Sequence, residues 1–193
     1  KLRLLEMIQI TAGKHKKRKL KSISKLVRPT SALRREAVFS MIESYSIKIS
    51  YDFYKDKTFL DLFAGIGTMG LEAISRGINK VIFFENNEEV IDILKYNCSI
   101  ICNSDQYEII NEDIIKTNFN IKFDNISLVY IDPPYNKYNL KDILDTLSIK
   151  FDKSQTLIII ETSIDELLVF PKNTKMIKEK VYGKSAIRIL KFG

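Results

Sequence analysis

The chain has 193 residues, 45% hydrophobic and 28% charged, a balance suited to one folded domain with at most a short appendage. Disorder and collagen-like repeats are excluded. The longest purely aliphatic run, 157–160, is far below the ~20 residues of a membrane helix, and no signal-peptide core opens the chain, so a cytoplasmic protein is expected. The formal net charge of +7 is unevenly placed: residues 1–40 carry 12 Lys+Arg against 2 acids, residues 171–193 carry 7 against 1, and residues 41–170 carry 12 against 21. Because 24 of the 31 basic residues are Lys in a chain with 30 Ile, an AT-rich coding bias explains part of the sum, and the distribution carries the argument. Basic ends around an acidic centre point to a polyanionic partner gripped by the termini. Cys98 and Cys102, four apart in a helical stretch without a second pair, read as reduced thiols and form no zinc or redox motif.

In chain order, Met7 is expected to be the natural start, and 7–22 predict a β-hairpin around Gly13 with its charges at the tip. Pro29 enforces an extended entry, and Thr30 or Ser31 can cap a helix over 32–45 with Val38, Met41, Ile42 and Tyr45 on its apolar face. Short β-branched or aromatic runs follow at 58–62, 80–85, 107–111, 128–132 and 156–161. Helical segments alternate with them at 68–76, 87–101 and 140–149, with a short one near 164–168. Buried strands alternating with helices predict an α/β fold, a mostly parallel sheet covered on both faces. Segments 174–182 and 185–192, joined at Gly183 and Lys184, predict a closing antiparallel hairpin that brings the sheet to seven strands. Two regions result: a basic hairpin-and-helix extension over 1–50 and a main domain over 51–193.

The first βα loop runs Asp61-Leu62-Phe63-Ala64-Gly65-Ile66-Gly67-Thr68-Met69-Gly70 and contains GxGxxG, while Glu85 ends the next strand 20 positions after Gly65. That spacing suits a nucleoside cofactor whose ribose hydroxyls Glu85 accepts. Asp61 decides which one. A dinucleotide places its diphosphate near this turn, where a carboxylate would repel it. S-adenosylmethionine carries an ammonium and a sulfonium and no phosphate, so the same carboxylate attracts it. Phe63 and Asn86 flank the expected pocket, and Asp113, after the third strand, is placed to accept from an adenine amino group.

The strongest motif is Asp132-Pro133-Pro134-Tyr135 at the end of the fourth strand. Two prolines stop sheet pairing and leave carbonyls without ladder partners. Such acceptors, with the Asp132 carboxylate, can bind the two hydrogens of an exocyclic amine and favour its nucleophilic form, while Tyr135 stacks on the base. Alignment for in-line displacement supplies most of the rate, and no strong general base is needed. Guanine N2 and adenine N6 are both exocyclic amines, so the motif leaves open an adenine-N6 methyltransferase acting on DNA or RNA. A non-catalytic RNA-binding assembly protein is the reading from another class.

Taken together, these residues resemble the amino-group (DPPY) branch of the class I methyltransferases, with a Rossmann-like fold, and more narrowly the RsmD family of bacterial 16S rRNA guanine-N2 methyltransferases. The resemblance rests on Ile10-Thr11-Ala12-Gly13-Lys14-His15-Lys16, Arg28-Pro29-Thr30, Arg35-Glu36-Ala37 with Phe39, the Asp61 to Gly65 loop, Gly70-Leu71-Glu72-Ala73, Ser75-Arg76-Gly77, and Asp132 to Tyr135. It implies S-adenosylmethionine held by Asp61, Gly65, Gly67, Glu85 and Asp113, and catalysis at Asp132, Pro133, Pro134 and Tyr135. The implied substrate is one guanine of 16S rRNA within an assembling 30S particle, turned out of its stack to be reached. Lys14, Lys16, Lys17, Arg18 and Lys19 on the hairpin, with Arg28 and Arg35 nearer the active site, would hold its phosphates. A monomer with no metal is expected.

Overall fold

The computed structural model describes residues 5–23, 31–114, 125–134 and 138–193. After a hairpin of β1 (Leu5–Gln9) and β2 (Lys19–Ile23) come α1 (Ala32–Ile49), β3 (Thr58–Asp61), α2 (Thr68–Ser75), β4 (Lys80–Phe84), α3 (Glu88–Ile101), β5 (Tyr107–Ile110), β6 (Ile126–Ile131), α4 (Leu140–Lys150), β7 (Leu157–Ser163), β8 (Thr174–Tyr182) and β9 (Ser185–Phe192). The last seven strands form one sheet in the order β5-β4-β3-β6-β7-β9-β8. Pairing is parallel from β5 to β7 and antiparallel at β7–β9 and β8–β9. β3 and β6 are buried at every position, as strands covered on both faces must be.

Two apolar layers flank the sheet. One packs α1, α2, α3 and the hairpin residues Ile10 and Leu20 against Phe59, Val81, Phe83, Tyr130 and Ile159. The other packs Leu140, Ile143, Leu144 and Leu147 of α4 against Leu60, Ile82, Val129 and Ile158. Helix α3 is set by its sequence: Asn87 accepts from the Glu89 and Val90 amides, Glu88 and Glu89 complement the N-terminal dipole, and Val90, Ile91, Leu94, Cys98 and Ile101 share the buried stripe. Helix α1 is capped by the Ser31 hydroxyl and runs one turn beyond the predicted end, to a left-handed Ser50 at φ 52°.

One element differs from its expectation. The predicted helix near 164–168 is a turn: the Glu166 amide donates to the Ser163 carbonyl, the Asp165 amide to the Ser163 hydroxyl, and the Ile164 amide to the Lys184 carbonyl across the β8–β9 tip. Ser163 offers the backbone a competing local hydrogen bond, and with Leu167 91% exposed only Leu168 of this stretch packs on the core, too little to hold a helix there.

The hairpin is fastened to the main layers. The Glu72 carboxylate of α2 accepts from the Thr11 amide at 2.9 Å, the Thr11 hydroxyl at 2.7 Å and the Ala12 amide at 2.9 Å. Ser75 accepts the Lys14 amide on its carbonyl at 2.7 Å and the His15 amide on its hydroxyl at 2.9 Å. Gly13 is required at this seam, because a Cβ there would sit 1.8 Å from the Ser75 carbonyl oxygen. The 1–50 and 51–193 segments therefore share one apolar layer and one hydrogen-bonded seam.

Candidate functional site

The strand order reverses at β3: the chain leaves β3 for β4 and β5 on one side and returns to pair β6 on the other. Ligands of open α/β sheets bind at such a switch point, beyond the carboxyl ends of the strands. Here those ends carry Asp61 on β3 and Asp132 directly after β6.

Asp61 is 1% exposed, and neither carboxylate oxygen has a hydrogen-bond partner. Burial, then the facing Asp132 and, more weakly, Glu85, push its pKa up from 3.8 to about 8. The amides of Gly70 and Phe63 offset part of this without closing a hydrogen bond in good geometry. An unpartnered buried carboxyl facing a second acid is an expensive arrangement for a packing role alone, and a bound cation would relieve it.

The glycine loop beside it is held from several directions. Ala64 donates to the Phe84 carbonyl, Gly67 to the Ala64 carbonyl, and the Gly65 amide to Glu85 Oε2 at 3.0 Å. Gly65 and Gly67 have φ of 53° and 84°, which glycine adopts without strain, and Gly67 forms the N-terminal boundary of α2. The other Glu85 oxygen accepts the Asn86 and Asn87 amides, each at 2.9 Å. Glu85 is thus the clip that fixes the loop as well as an acid at the mouth. Gly70 serves packing: a Cβ there would meet the Phe83 ring at 2.3 Å.

A shallow, open cleft adjoins the loop and brings together four sequence-predicted residues, Phe63, Glu85, Asn86 and Asp113, with Ile114 and Tyr138. The Phe63 and Tyr138 rings meet edge-on at 4.8 Å, and the Tyr138 phenol reaches Asp113 Oδ2 at 3.4 Å. Burial, and then the Asp113 charge, raise the phenol pKa. Tyr138 carries no motif signal in the sequence. An apolar wall with polar acceptors at its rim suits a nucleoside. The residues present fit S-adenosylmethionine, whose cationic part would meet Asp61 and Asp132 with its nucleoside part in the cleft. A diphosphate would face Asp61, Glu85 and Asp132 together.

The predicted RNA contacts divide. Lys14, Lys16, Lys17, Arg18 and Lys19 are all exposed. Their loop is seated on Ser75, where α2 ends and the chain turns back to enter β4, so the tip lies toward the amino edge of the sheet. The eight-residue α2 separates that seam from the glycine loop by about 12 Å. Arg35 is a correction: it is 2% exposed, donates to the Gln9 carbonyl at 2.7 Å and lies 3.7 Å from Glu72, so it fastens the hairpin and does not face a phosphate. Arg28 and Tyr135 lie outside the described residues. Pro133 is half-buried and Pro134 exposed, leaving the segment after Asp132 open. Among the described residues no group of His, Cys, Asp or Glu is arranged to hold a metal, and no helix is long and apolar enough to cross a membrane.

Sequence reasoning missed three further residues. Neighbouring Arg34 on α1 pairs with Glu161 on β7, whose other oxygen accepts the Tyr130 hydroxyl at 2.9 Å, one strand from Asp132. Asn97 sits fully buried in the apolar stripe of α3. A lone amide in such a stripe is a signal the sequence did contain.

Comparison with known proteins agrees with this architecture. Residues 8–191 match the family described as conserved hypothetical protein 95. The chain is 33% identical over 189 residues to the ribosomal RNA small subunit methyltransferase D of Haemophilus influenzae, covering 94% of this chain and 92% of that protein. It is 31% identical to the protein of the same name from Buchnera aphidicola, covering 90% and 87%. The solved structure of HI0767 from Haemophilus influenzae superposes with a TM-score of 0.75 at 30% identity, over 97% of this chain and 99% of that one. That of yhhF from Escherichia coli gives 0.75 at 24% identity, over 97% and 98%, and shares the fold. The seven-stranded sheet with its antiparallel edge hairpin is the Rossmann-like class I methyltransferase fold. On sequence and fold alike, the chain belongs to the RsmD family.

Proposed function

We propose that this protein transfers a methyl group from S-adenosylmethionine to the exocyclic N2 of one guanine in 16S rRNA within an assembling 30S particle. Ribosomal RNA as the substrate follows from the family, whose members are named small subunit methyltransferases. The observation that carries the reading is the buried Asp61, unpartnered and facing Asp132 at the switch point.

When bound, S-adenosylmethionine supplies an electrophilic methyl group on a sulfonium. Asp61 attracts the positive charge, Glu85 keeps the glycine loop closed against the ligand and faces the ribose, and Phe63, Asn86 and Asp113 line the nucleoside cleft. Asp132 accepts one hydrogen of the target amine, and a carbonyl of the Pro133–Pro134 segment accepts the other, which holds the nitrogen lone pair toward the methyl group. Tyr135 stacks on the base. Formation of the N–C bond would be matched by cleavage of the methyl–sulfur bond, with S-adenosylhomocysteine leaving as a neutral thioether, and the acidic proton of the methylated nitrogen would pass to solvent or to Asp132, so no strong base is required. The exposed hairpin cations sit about a helix length from the glycine loop, which suits a grip on phosphates flanking the target nucleotide.

Incubation with methyl-labelled S-adenosylmethionine and immature 30S particles, followed by nucleoside analysis, tests this. Label in N2-methylguanosine at one position is the expected result. Label in N6-methyladenosine would move the assignment to the adenine enzymes, and no label together with intact RNA binding would favour the assembly role.

A further inference from the structure

The Asn97 side chain on α3 is wholly buried and commits its carbonyl and both amide hydrogens to two separate segments. Its Oδ1 accepts the Lys21 amide at 2.8 Å, and its Nδ2 donates to the Lys21 carbonyl at 3.0 Å, closing a two-bond ring with the backbone of β2 as a neighbouring strand would. The second Nδ2 hydrogen goes to the Ile66 carbonyl at 3.0 Å. Ile66 lies between Gly65 and Gly67, the two residues whose positive φ angles shape the glycine loop. Lys21 also lies with its ammonium 3.4 Å from the centre of the Tyr96 ring, the residue before Asn97.

We propose that Asn97 is a positioning residue for the cofactor loop, and that the basic hairpin, through β2, is part of the scaffold that shapes the cofactor site. Gly65 and Gly67 loosen the backbone on both sides of Ile66, so the loop's shape depends on what its carbonyl and amides are tied to. Glu85 ties the Gly65 amide, Ala64 ties the Gly67 amide, and Asn97 ties the carbonyl of Ile66, the residue between the two glycines. Asn97 cannot turn away from that task, because its amide orientation is fixed by the donor and acceptor of Lys21 together. Replacing it frees Ile66 and leaves two backbone groups of Lys21 unpaired. The proposal rests on the S-adenosylmethionine reading for its consequence, though not for its geometry.

The test compares Asn97→Ala and Asn97→Asp with Ser75→Ala. Ser75→Ala removes the two hydroxyl bonds to the hairpin tip, from the His15 amide and to the Ala12 carbonyl, and leaves Asn97 and the glycine loop untouched. Asn97→Asp keeps the acceptor for Lys21 and loses both donated bonds. Amide hydrogen exchange of unliganded protein is expected to show the 64–67 segment opening at least tenfold more readily in Asn97→Ala than in wild type, and unchanged in Ser75→Ala. Calorimetry is expected to show S-adenosylmethionine binding at least tenfold weaker in both Asn97 variants, and within twofold of wild type in Ser75→Ala. In turnover, KM for S-adenosylmethionine should rise with kcat at saturation within twofold; a merely destabilised protein would lose active fraction with KM unchanged. Unaltered exchange in the 64–67 segment, or an unaltered KM with reduced kcat, overturns the proposal. If wild type itself binds no S-adenosylmethionine while the exchange difference persists, the cofactor reading fails and the positioning role stands. Should Asn97→Asp fail to fold because of its buried charge, Asn97→Ala decides the outcome alone.

Discussion

Replacing Asp61 by Asn is expected to stabilise the ligand-free protein while abolishing its affinity for S-adenosylmethionine. Asp61 is 1% exposed, faces Asp132 and Glu85, and holds its proton up to a pKa of about 8 against an ordinary 3.8. An acid whose folded pKa is raised penalises folding as pH rises: the unfolded chain gives up its proton from about pH 4 while the folded chain keeps it until about pH 8. Across that window stability falls by about 1.4 kcal/mol per pH unit from this group alone, reaching on the order of 4 kcal/mol at pH 7 as an upper bound. Asn mimics the protonated acid and removes the slope. Allowing half for the new amide's own unmatched donors, a gain of about 2 kcal/mol at pH 7 corresponds to roughly 4–8 °C in Tm for a chain of this size. Urea denaturation of Asp61→Asn and wild type at pH 5, 6, 7 and 8, with calorimetric titration of S-adenosylmethionine into both, measures the two effects. A gain that grows with pH together with lost binding is the expected pattern. A gain independent of pH, or a variant less stable than wild type at pH 8, would refute the reasoning.

Further outcomes concern the hairpin. Glu72→Ala removes the acceptor of the Thr11 and Ala12 bonds and the anion beside the buried Arg35, and is expected to destabilise by about 3–5 kcal/mol in urea melts; a loss under about 1 kcal/mol would contradict the seam described above. Changing Lys14, Lys16 and Arg18 to Gln should weaken RNA binding and flatten its salt dependence by about 0.7 in log–log slope for each phosphate that is no longer neutralised, with S-adenosylmethionine affinity unchanged; an unaltered salt slope would remove the hairpin from the RNA interface. Arg35→Lys, by contrast, is expected to lower stability by breaking the hydrogen bond to Gln9 and the ion pair with Glu72, while leaving the salt slope as in wild type.

Much of this architecture is legible in the chain because its central strands are buried runs and helices α3 and α4 carry amphipathic stripes. The β8 and β9 boundaries match expectation because alternation and the Gly183 turn are local signals. Asp61, Glu85 and Asp132 could be singled out because each sits at the end of a predicted strand, and strand ends converge at one edge. What the sequence hid depends on long-range partners. Arg35 looks like a phosphate ligand until Glu72, 37 positions later, is seen beside it. The basic hairpin tip gives no local sign that Gly13 seats it on Ser75, toward the amino edge of the sheet. At 164–168 the apolar spacing favoured a helix, and the Ser163 hydroxyl with the β8–β9 tip took the amides instead. Tyr138 entered the cleft from a segment with no motif of its own.

The central claim is that the acids at the switch point receive a cationic methyl donor. A crystal structure with S-adenosylhomocysteine tests it most directly. The adenine is expected in the cleft between Phe63 and Asp113, the ribose at Glu85, the amino-acid part near Asp61 and the sulfur facing Asp132. A ligand bound elsewhere, or a cleft that accepts a dinucleotide with its diphosphate against Asp61, would contradict it.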